Sequence, residues 1–206
     1  MNAARGVARK LLGFVDAWYC RRYRLRALGP VLYIGEARYR GPDLTFDDGT
    51  ALRDNDPIGR LHFNNASIAA LGEGSMQRVG FRFAKLMRES LRRLAECAES
   101  DPVFREVRAF QGVTWLPAHG EVVGFVSKPL PKSWKTHLLS NHFRILSWVF
   151  APAQRIRDRG HAEPRTYWLT RTALKQNLGK LKIEPTGSEY RVATKKEPKK
   201  KMVLDE

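Results

Sequence analysis

Residues 76–99, MQRVGFRFAKLMRESLRRLAECAE, decide the fold, because their apolar residues recur at the spacing of one helical face. That face consists of Val79, Phe83, Leu86, Met87, Leu91, Leu94 and Ala98. Charged residues, mostly arginine, occupy the other side, and Ser75 is placed to cap the first turn. The pattern predicts a long amphipathic helix that packs against the rest of a domain.

Short strands are predicted on both sides of this helix. The first group spans residues 31–63, where the pairs Asp48-Gly49 and Asp56-Pro57 supply the turns. The second group spans residues 107–127, where VRAFQGVTW and EVVGFVS indicate an antiparallel hairpin joined by residues 116–120. We therefore predict an α+β fold, with small antiparallel strands packed on the long helix and with flanking helices at each end.

Length and composition predict one folded domain with a basic tail. A chain of 206 residues with 43% hydrophobic content suits a single core. We predict a basic amphipathic N-terminal helix at 1–28, a core domain at 29–179 and a disordered tail at 180–206. The tail contains the lysine-rich run KKEPKKK and has no apolar period.

The net charge of +16 predicts an anionic partner, such as a membrane surface, an acidic polymer or nucleic acid. Cys20 and Cys97 are the only cysteines, which is typical of a reducing compartment. No run approaches the ~18 apolar residues of a membrane span. The expected location is the cytoplasm, with peripheral attachment at the inner face of the membrane.

The N-terminal segment combines an apolar helical stripe with basic residues. Six apolar residues recur at helical spacing, which is typical of an interfacial helix on an anionic membrane: Val7, Leu11, Phe14, Val15, Trp18 and Leu25. A core-packing helix with a solvated basic face fits the same pattern, and both interpretations stay open here. The candidate membrane-binding or anion-binding residues are Arg5, Arg9, Lys10, Trp18, Arg21, Arg22, Arg155, Arg157 and Arg165.

Nucleic acid is the alternative partner. The arginines between residues 153 and 182 alternate with Tyr167 and Trp168, which could stack on bases while the arginines bind phosphates. No helix-turn-helix, zinc-finger or RRM signature accompanies them. The same region predicts an apolar helix at 134–150 and a last helix near 170–177.

A third hypothesis is a small hydrolase. The motif TFDDGT, at residues 45–50, resembles the first motif of NodB-type polysaccharide deacetylases, in which Asp47 would be a general base and Asp48 a metal ligand. That chemistry needs two histidines on one helical face, whereas His137 and His142 would diverge by about 140°. We therefore predict no metal and no cofactor.

Two further histidines are weak catalytic candidates beside Asp47 and Asp48. His62 lies in a predicted strand and could pair with one of these carboxylates, which would orient it for proton transfer. A buried histidine bonded to a turn is the more ordinary explanation. His119 lies at the tip of the second predicted hairpin, where an exposed imidazole could bind a ligand. Enzymatic activity is therefore left uncertain, and we lean towards a non-enzyme.

The stretch 41–65, GPDLTFDDGTALRDNDPIGRLHFNN, followed by the long helix, GVTWL and Gly124-Phe125, resembles the YkoP-like family over roughly residues 10–150. Members of that family sometimes accompany polysaccharide deacetylase domains, so the resemblance implies a connection with the cell envelope and implies no reaction. The leading hypothesis is a non-enzymatic envelope factor that binds anionic lipid or polysaccharide intermediates. Ligand and oligomeric state are left open.

Overall fold

A computed structural model of the chain describes residues 3–71, 76–114, 124–130 and 164–178. Its helices are α1 (Ala3–Arg22), α2 (Asn65–Ala69), α3 (Met76–Ser100) and α4 (Arg171–Leu178), with a short 3-10 helix at Pro102–Phe104. Its strands are β1 (Arg26–Ala27), β2 (Leu32–Arg38), β3 (Leu44–Thr45), β4 (Ala51–Leu52), β5 (Pro57–Phe63), β6 (Ala109–Thr114), β7 (Val126–Pro129) and β8 (Arg165–Thr170). The fold class is α+β, as the sequence predicts.

Six of the strands form one mixed sheet in the order β1-β2-β5-β6-β8-β7, and β3 pairs with β4 separately. β5 and β6 run parallel, while the other four pairings in the sheet are antiparallel. A parallel pair cannot be joined by a tight turn, and the connection from β5 to β6 contains α2, α3 and the 3-10 helix. The prediction that the strands are all antiparallel is therefore wrong at the centre of the sheet.

One face of the sheet shares a buried core with α3. Ile34, Leu61, Phe110 and Leu169 alternate onto this face from four strands, and they cluster with Leu91, Leu94 and Ala98 of α3. Gly59 makes room for the largest of them, because a Cβ at this position would lie 2.3 Å from the Phe110 ring. The main core thus lies between the sheet and the C-terminal half of α3.

The opposite face of the sheet carries the β3-β4 hairpin. A second buried cluster joins Phe46 and Leu52 of the hairpin region to Tyr39, Ile58 and Trp168 of the sheet region. The Phe46 and Trp168 ring centroids are 5.9 Å apart. The hairpin therefore covers one end of this face, which we call the hairpin face.

The acidic residues of the stretch 41–65 form turns, as the sequence predicts for Asp48-Gly49 and for residues 54–57. Asp48 accepts a hydrogen bond from the Thr50 amide at 2.9 Å, and Gly49 adopts a φ of +80° that favours glycine. Asp56 accepts a hydrogen bond from the Arg53 amide at 2.7 Å. These side chains stabilise chain reversals by accepting hydrogen bonds from backbone amides two or three residues away.

The predicted hairpin over 107–127 is wrong. β6 and β7 are not neighbours in the sheet, because β8 lies between them and pairs with both. The sequence of β8 is RTYWLT, and from Thr166 to Thr170 every residue is buried. Because β8 lies in an arginine-rich region, its local sequence pattern did not predict a strand. The last helix, predicted near 170–177, is confirmed as α4.

Arg171 begins α4 and connects it to the end of α3. Its guanidinium donates hydrogen bonds to the carbonyl oxygens of Arg105 at 2.5 Å, Phe104 at 2.7 Å and Ala98. Carbonyls at a helix end lack partners within the helix and carry partial negative charge, so a cation is favourable there. This arginine therefore has a structural role in closing the core.

Candidate functional site

One side of α1 faces the sheet. Leu12 is 5% exposed, and Asp16, Tyr19 and Cys20 are half-buried on the same side of the helix. The Tyr19 ring lies 4.7 Å, centroid to centroid, from the ring of His62 on β5. Because His62 alternates with the core residue Leu61, α1 covers the hairpin face, at the end of β5 opposite to the hairpin.

The other side of α1 is an exposed apolar stripe. Val7 is 69% exposed, Leu11 64%, Phe14 72% and Trp18 57%. Their spacing of four, three and four residues places them in one line along the helix. Among the described residues outside α1 and Tyr23, only Val103 and Val126 are large hydrophobic side chains with comparable exposure. The apolar surface of the described protein is therefore concentrated on this helix, which marks an interaction surface.

Cations border the stripe. Lys10, Arg21 and Arg22 are exposed, and in the described part of the chain none of them forms an ion pair with a carboxylate. Arg5 and Arg9 belong to α1, but their side chains lie outside the described part. Taken over the described residues, no helix is long and apolar enough to cross a bilayer.

A polar cluster lies between α1 and the sheet. Asp16 Oδ1 accepts a hydrogen bond from Asn65 Nδ2 at 2.9 Å and lies 3.3 Å from His62 Nε2. The side chains of His62 and Asp16 are 22% and 20% exposed. Asn65 is placed by the start of α2, where Asn64 caps the helix by accepting from the Ser67 amide. The cluster holds the middle of α1 against the end of β5.

Burial raises the pKa of three neighbouring groups. Burial is the largest cause for the Tyr19 phenol, and the positive charge of Arg60 opposes it in part. Burial likewise raises the pKa of the Cys20 thiol and of the Tyr33 phenol, which pairs across the strands with His62. All three groups therefore stay protonated at neutral pH. A neutral thiol is a weak nucleophile, so these groups serve as packing surface.

Tyr23, directly after α1, attracts two guanidinium groups. The Arg60 guanidinium carbon lies 4.2 Å from the Tyr23 ring centroid, and that of Arg22 lies 5.5 Å away. Tyr23 also contacts Tyr19, with the ring centroids 4.6 Å apart. The C-terminal end of α1 is thus both aromatic and cationic.

The structure does not bring Asp47, Asp48 and His62 together. Asp47 is exposed in its turn, and Asp48 accepts a hydrogen bond from the Thr170 hydroxyl at the end of β8. Partial burial raises the pKa of Asp48, but hydrogen bonds from Thr170 and Thr50 outweigh it, so the pKa lies below its ordinary value. Strand geometry places Thr170 roughly 16 Å from His62, since they are two strands and four positions apart. His62 pairs with Asp16 instead.

The remaining predicted site residues have varied positions. Arg165 is exposed at the start of β8. Tyr167 and Trp168 are 7% and 3% exposed, so the prediction that they stack on bases is wrong. Several other predictions lie outside the described residues: His119, His137, His142, Arg155, Arg157, the helix at 134–150 and the tail at 180–206.

Reasoning from sequence missed Asp16 as the partner of His62, and it missed Arg60. One signal was present for Asp16, which is the single acidic residue in α1 and lies opposite the apolar stripe. Arg60 had no such signal, because the Tyr23 ring that it contacts lies in a distant part of the chain. In the segments that the structure describes, no group of three or more His, Cys, Asp or Glu side chains could hold a metal ion.

Comparison with known proteins identifies a family. The profile of the family described as YkoP domain matches residues 5–178, which is most of the chain. No curated protein and no solved structure matches the chain. The match includes α1, the sheet and α4.

Proposed function

We propose that this chain, which belongs to the YkoP domain family, is a peripheral membrane protein that attaches to anionic phospholipid through the apolar stripe of α1. The observation that carries the proposal is the exposure of Val7, Leu11, Phe14 and Trp18 in one line beside exposed cations. Water is an unfavourable environment for such a stripe, whereas the boundary between headgroups and acyl chains accommodates it.

The magnitudes are sufficient for reversible attachment. Full burial of a Leu, Val or Phe side chain is favourable by about 1.5–3 kcal/mol, so partial burial of this stripe contributes several kcal/mol. Each Lys or Arg near an anionic leaflet adds on the order of 1 kcal/mol. Lys10, Arg21 and Arg22 are positioned to do so.

The packing of α1 on the sheet strengthens the proposal. A free amphipathic helix must order itself when it binds a membrane, and this ordering opposes binding. Here the contacts of Asp16 with His62 and Asn65 hold the helix in place with its stripe facing outward. The proposed role is non-enzymatic, at the inner face of the membrane, in keeping with the envelope connection of the family.

Nucleic acid is the weaker candidate. Its specific support was base stacking by Tyr167 and Trp168, and both rings are buried. The remaining cations would bind any polyanion and favour none. The test therefore also measures the binding of nucleic acid and of anionic polysaccharide.

Co-sedimentation with vesicles tests the proposal. The wild-type chain should pellet with phosphatidylcholine vesicles that contain phosphatidylglycerol, and only weakly with phosphatidylcholine alone. Replacing Phe14 and Trp18 with serine should abolish pelleting. Val103→Ser is the matched control, since Val103 is 47% exposed outside α1 and should not matter. Point variants are preferable to deletion of α1, because deletion would also remove the Asp16 contacts.

Three results would contradict the proposal. The double variant could pellet like the wild type, or DNA or an anionic polysaccharide could bind tightly while vesicles do not. A dimer that dissociates in the double variant, without vesicle binding, would assign the stripe to a second copy of the chain.

A further inference from the structure

Arg60 and Arg22 are two cations on one aromatic ring, and they come from different elements. Arg60 projects from the centre of β5 and Arg22 from the last turn of α1, and both guanidinium groups approach Tyr23. Within the described residues, neither arginine forms an ion pair with a carboxylate. The electron-rich ring face attracts each guanidinium group but carries no net charge to neutralise it. A negative ligand would complete this arrangement.

The backbone is built for the close approach of Tyr23 to Arg60. Gly35 lies directly opposite Arg60 in the β2-β5 register. A Cβ on Gly35 would lie 2.4 Å from a Leu25 side-chain carbon and 3.1 Å from the Tyr23 carbonyl oxygen. Glycine at this position therefore lets the segment after α1 rest on the sheet, which puts the Tyr23 ring over Arg60.

Arg22 adjoins the apolar stripe of α1, and the Tyr23 ring joins it to Arg60. Arg22 follows Trp18 by four residues, so the two side chains are neighbours on the helix surface. Tyr23 is itself 36% exposed. On a membrane that contacts the stripe, the Arg22 guanidinium would lie at the level of the lipid phosphates rather than in the acyl region.

We propose that Arg22, Tyr23 and Arg60 form a binding site for a phosphomonoester headgroup of a membrane lipid. This site rests on the proposed membrane attachment and adds a lipid preference to it. A phosphomonoester carries about −1.5 to −2 charges and three acceptor oxygens at neutral pH. Guanidinium forks match such oxygens in pairs, and two forks suit a monoester better than the single charge of a phosphodiester.

Vesicle titration with Arg60→Gln tests the site. The wild-type chain should bind phosphatidylcholine vesicles containing phosphatidic acid more tightly than vesicles of matched surface charge containing phosphatidylglycerol. Arg60→Gln should weaken binding to phosphatidic acid about tenfold, since bonds to charged groups are lost, and should weaken phosphatidylglycerol binding much less. Arg88→Gln is the matched control, because it removes an equal charge from an exposed position on α3.

Arg22→Gln is the second variant, and it covers the case in which Arg60→Gln fails to fold. Arg22 is exposed at the end of α1, so its replacement should leave the fold intact and reduce the preference for phosphatidic acid. Equal losses on both vesicle types for Arg60→Gln and Arg88→Gln would overturn the site but leave membrane attachment standing. The site would also be overturned, with membrane attachment left standing, by a second pattern of results. In that pattern the wild-type chain shows no preference for phosphatidic acid, and the variant with Phe14 and Trp18 replaced loses all vesicle binding.

Inorganic phosphate separates the two sources of the ligand. Titrated without vesicles, it should bind weakly to the wild-type chain and should not compete effectively with phosphatidic acid. Tight binding of inorganic phosphate that depends on Arg60, with no preference among vesicles, would assign the site to a soluble phosphate and overturn the lipid proposal.

Discussion

α1 and α3 are both long, basic and amphipathic, yet they use their apolar faces differently. α3 buries Leu91 and Leu94 completely in the main core. α1 leaves Leu11 and Phe14 in solvent and faces the sheet with Asp16 and Tyr19 instead. The comparison teaches that an apolar pattern at helical spacing predicts a helix with one apolar face, but does not predict what covers that face.

Replacing one leucine in each helix should show the difference between them most clearly, in the free energy of unfolding. Leu94→Ala should lower the free energy of unfolding by about 2–5 kcal/mol, because it leaves a cavity in the core. Leu11→Ala should change it by no more than about 0.5 kcal/mol, because Leu11 is 64% exposed. Urea denaturation measures both. A large loss for Leu11→Ala would mean that the stripe is covered within the protein itself.

A substitution on the side of α1 that faces the sheet should have a smaller effect on the free energy of unfolding. Asp16→Ala leaves Asn65 and His62 without their carboxylate partner, and we expect a loss of about 1–3 kcal/mol in the free energy of unfolding. Hydrogen exchange should become faster in the amides of α1 than in those of α3. Asp47→Ala removes an exposed acid and serves as the control. Unchanged exchange in α1 would show that the polar cluster does not hold the helix.

The hairpin at the other end of the same sheet face should show a small pH effect. The pKa of Asp48 is lower in the folded protein than in the unfolded chain, where aspartate titrates at about 3.9. Its contribution to stability is therefore complete above the unfolded pKa and is lost as pH falls through the folded pKa. Asp48→Asn and Thr170→Val should both flatten the loss of stability in acid. Thr45→Val, on the exposed side of the hairpin, should leave the loss as it is.

Local signals predicted much of this fold. The turn at Asp48-Gly49, the strand that contains His62 and the helix α3 each depend on neighbouring residues, and each is present. The order of the strands was not predictable in this way. β8 reaches the sheet from a distant part of the chain and separates β6 from β7, and only its burial shows that RTYWLT belongs to the core.

In the candidate site too, local features were predictable and long-range contacts were not. The sequence predicted the stripe of α1 and its cations, because both lie within one helix. It did not predict that Asp16 meets His62, since 46 residues separate them. Nor did it predict that Arg60 shares the Tyr23 ring with Arg22, because β2 and β5 first have to place Gly35 opposite Arg60. Such contacts depend on sheet register, which local pattern does not contain.

Quenching of Trp18 by brominated lipid tests the central claim most directly. Wild-type tryptophan emission should fall when the chain binds phosphatidylglycerol vesicles that carry bromine on their acyl chains. Most of that quenching should vanish in Trp18→Phe, which keeps an aromatic side chain on the stripe and should still bind the vesicles. Quenching that is undiminished in Trp18→Phe would mean that another surface meets the membrane, and emission that stays constant in the wild type during vesicle binding would contradict insertion of α1.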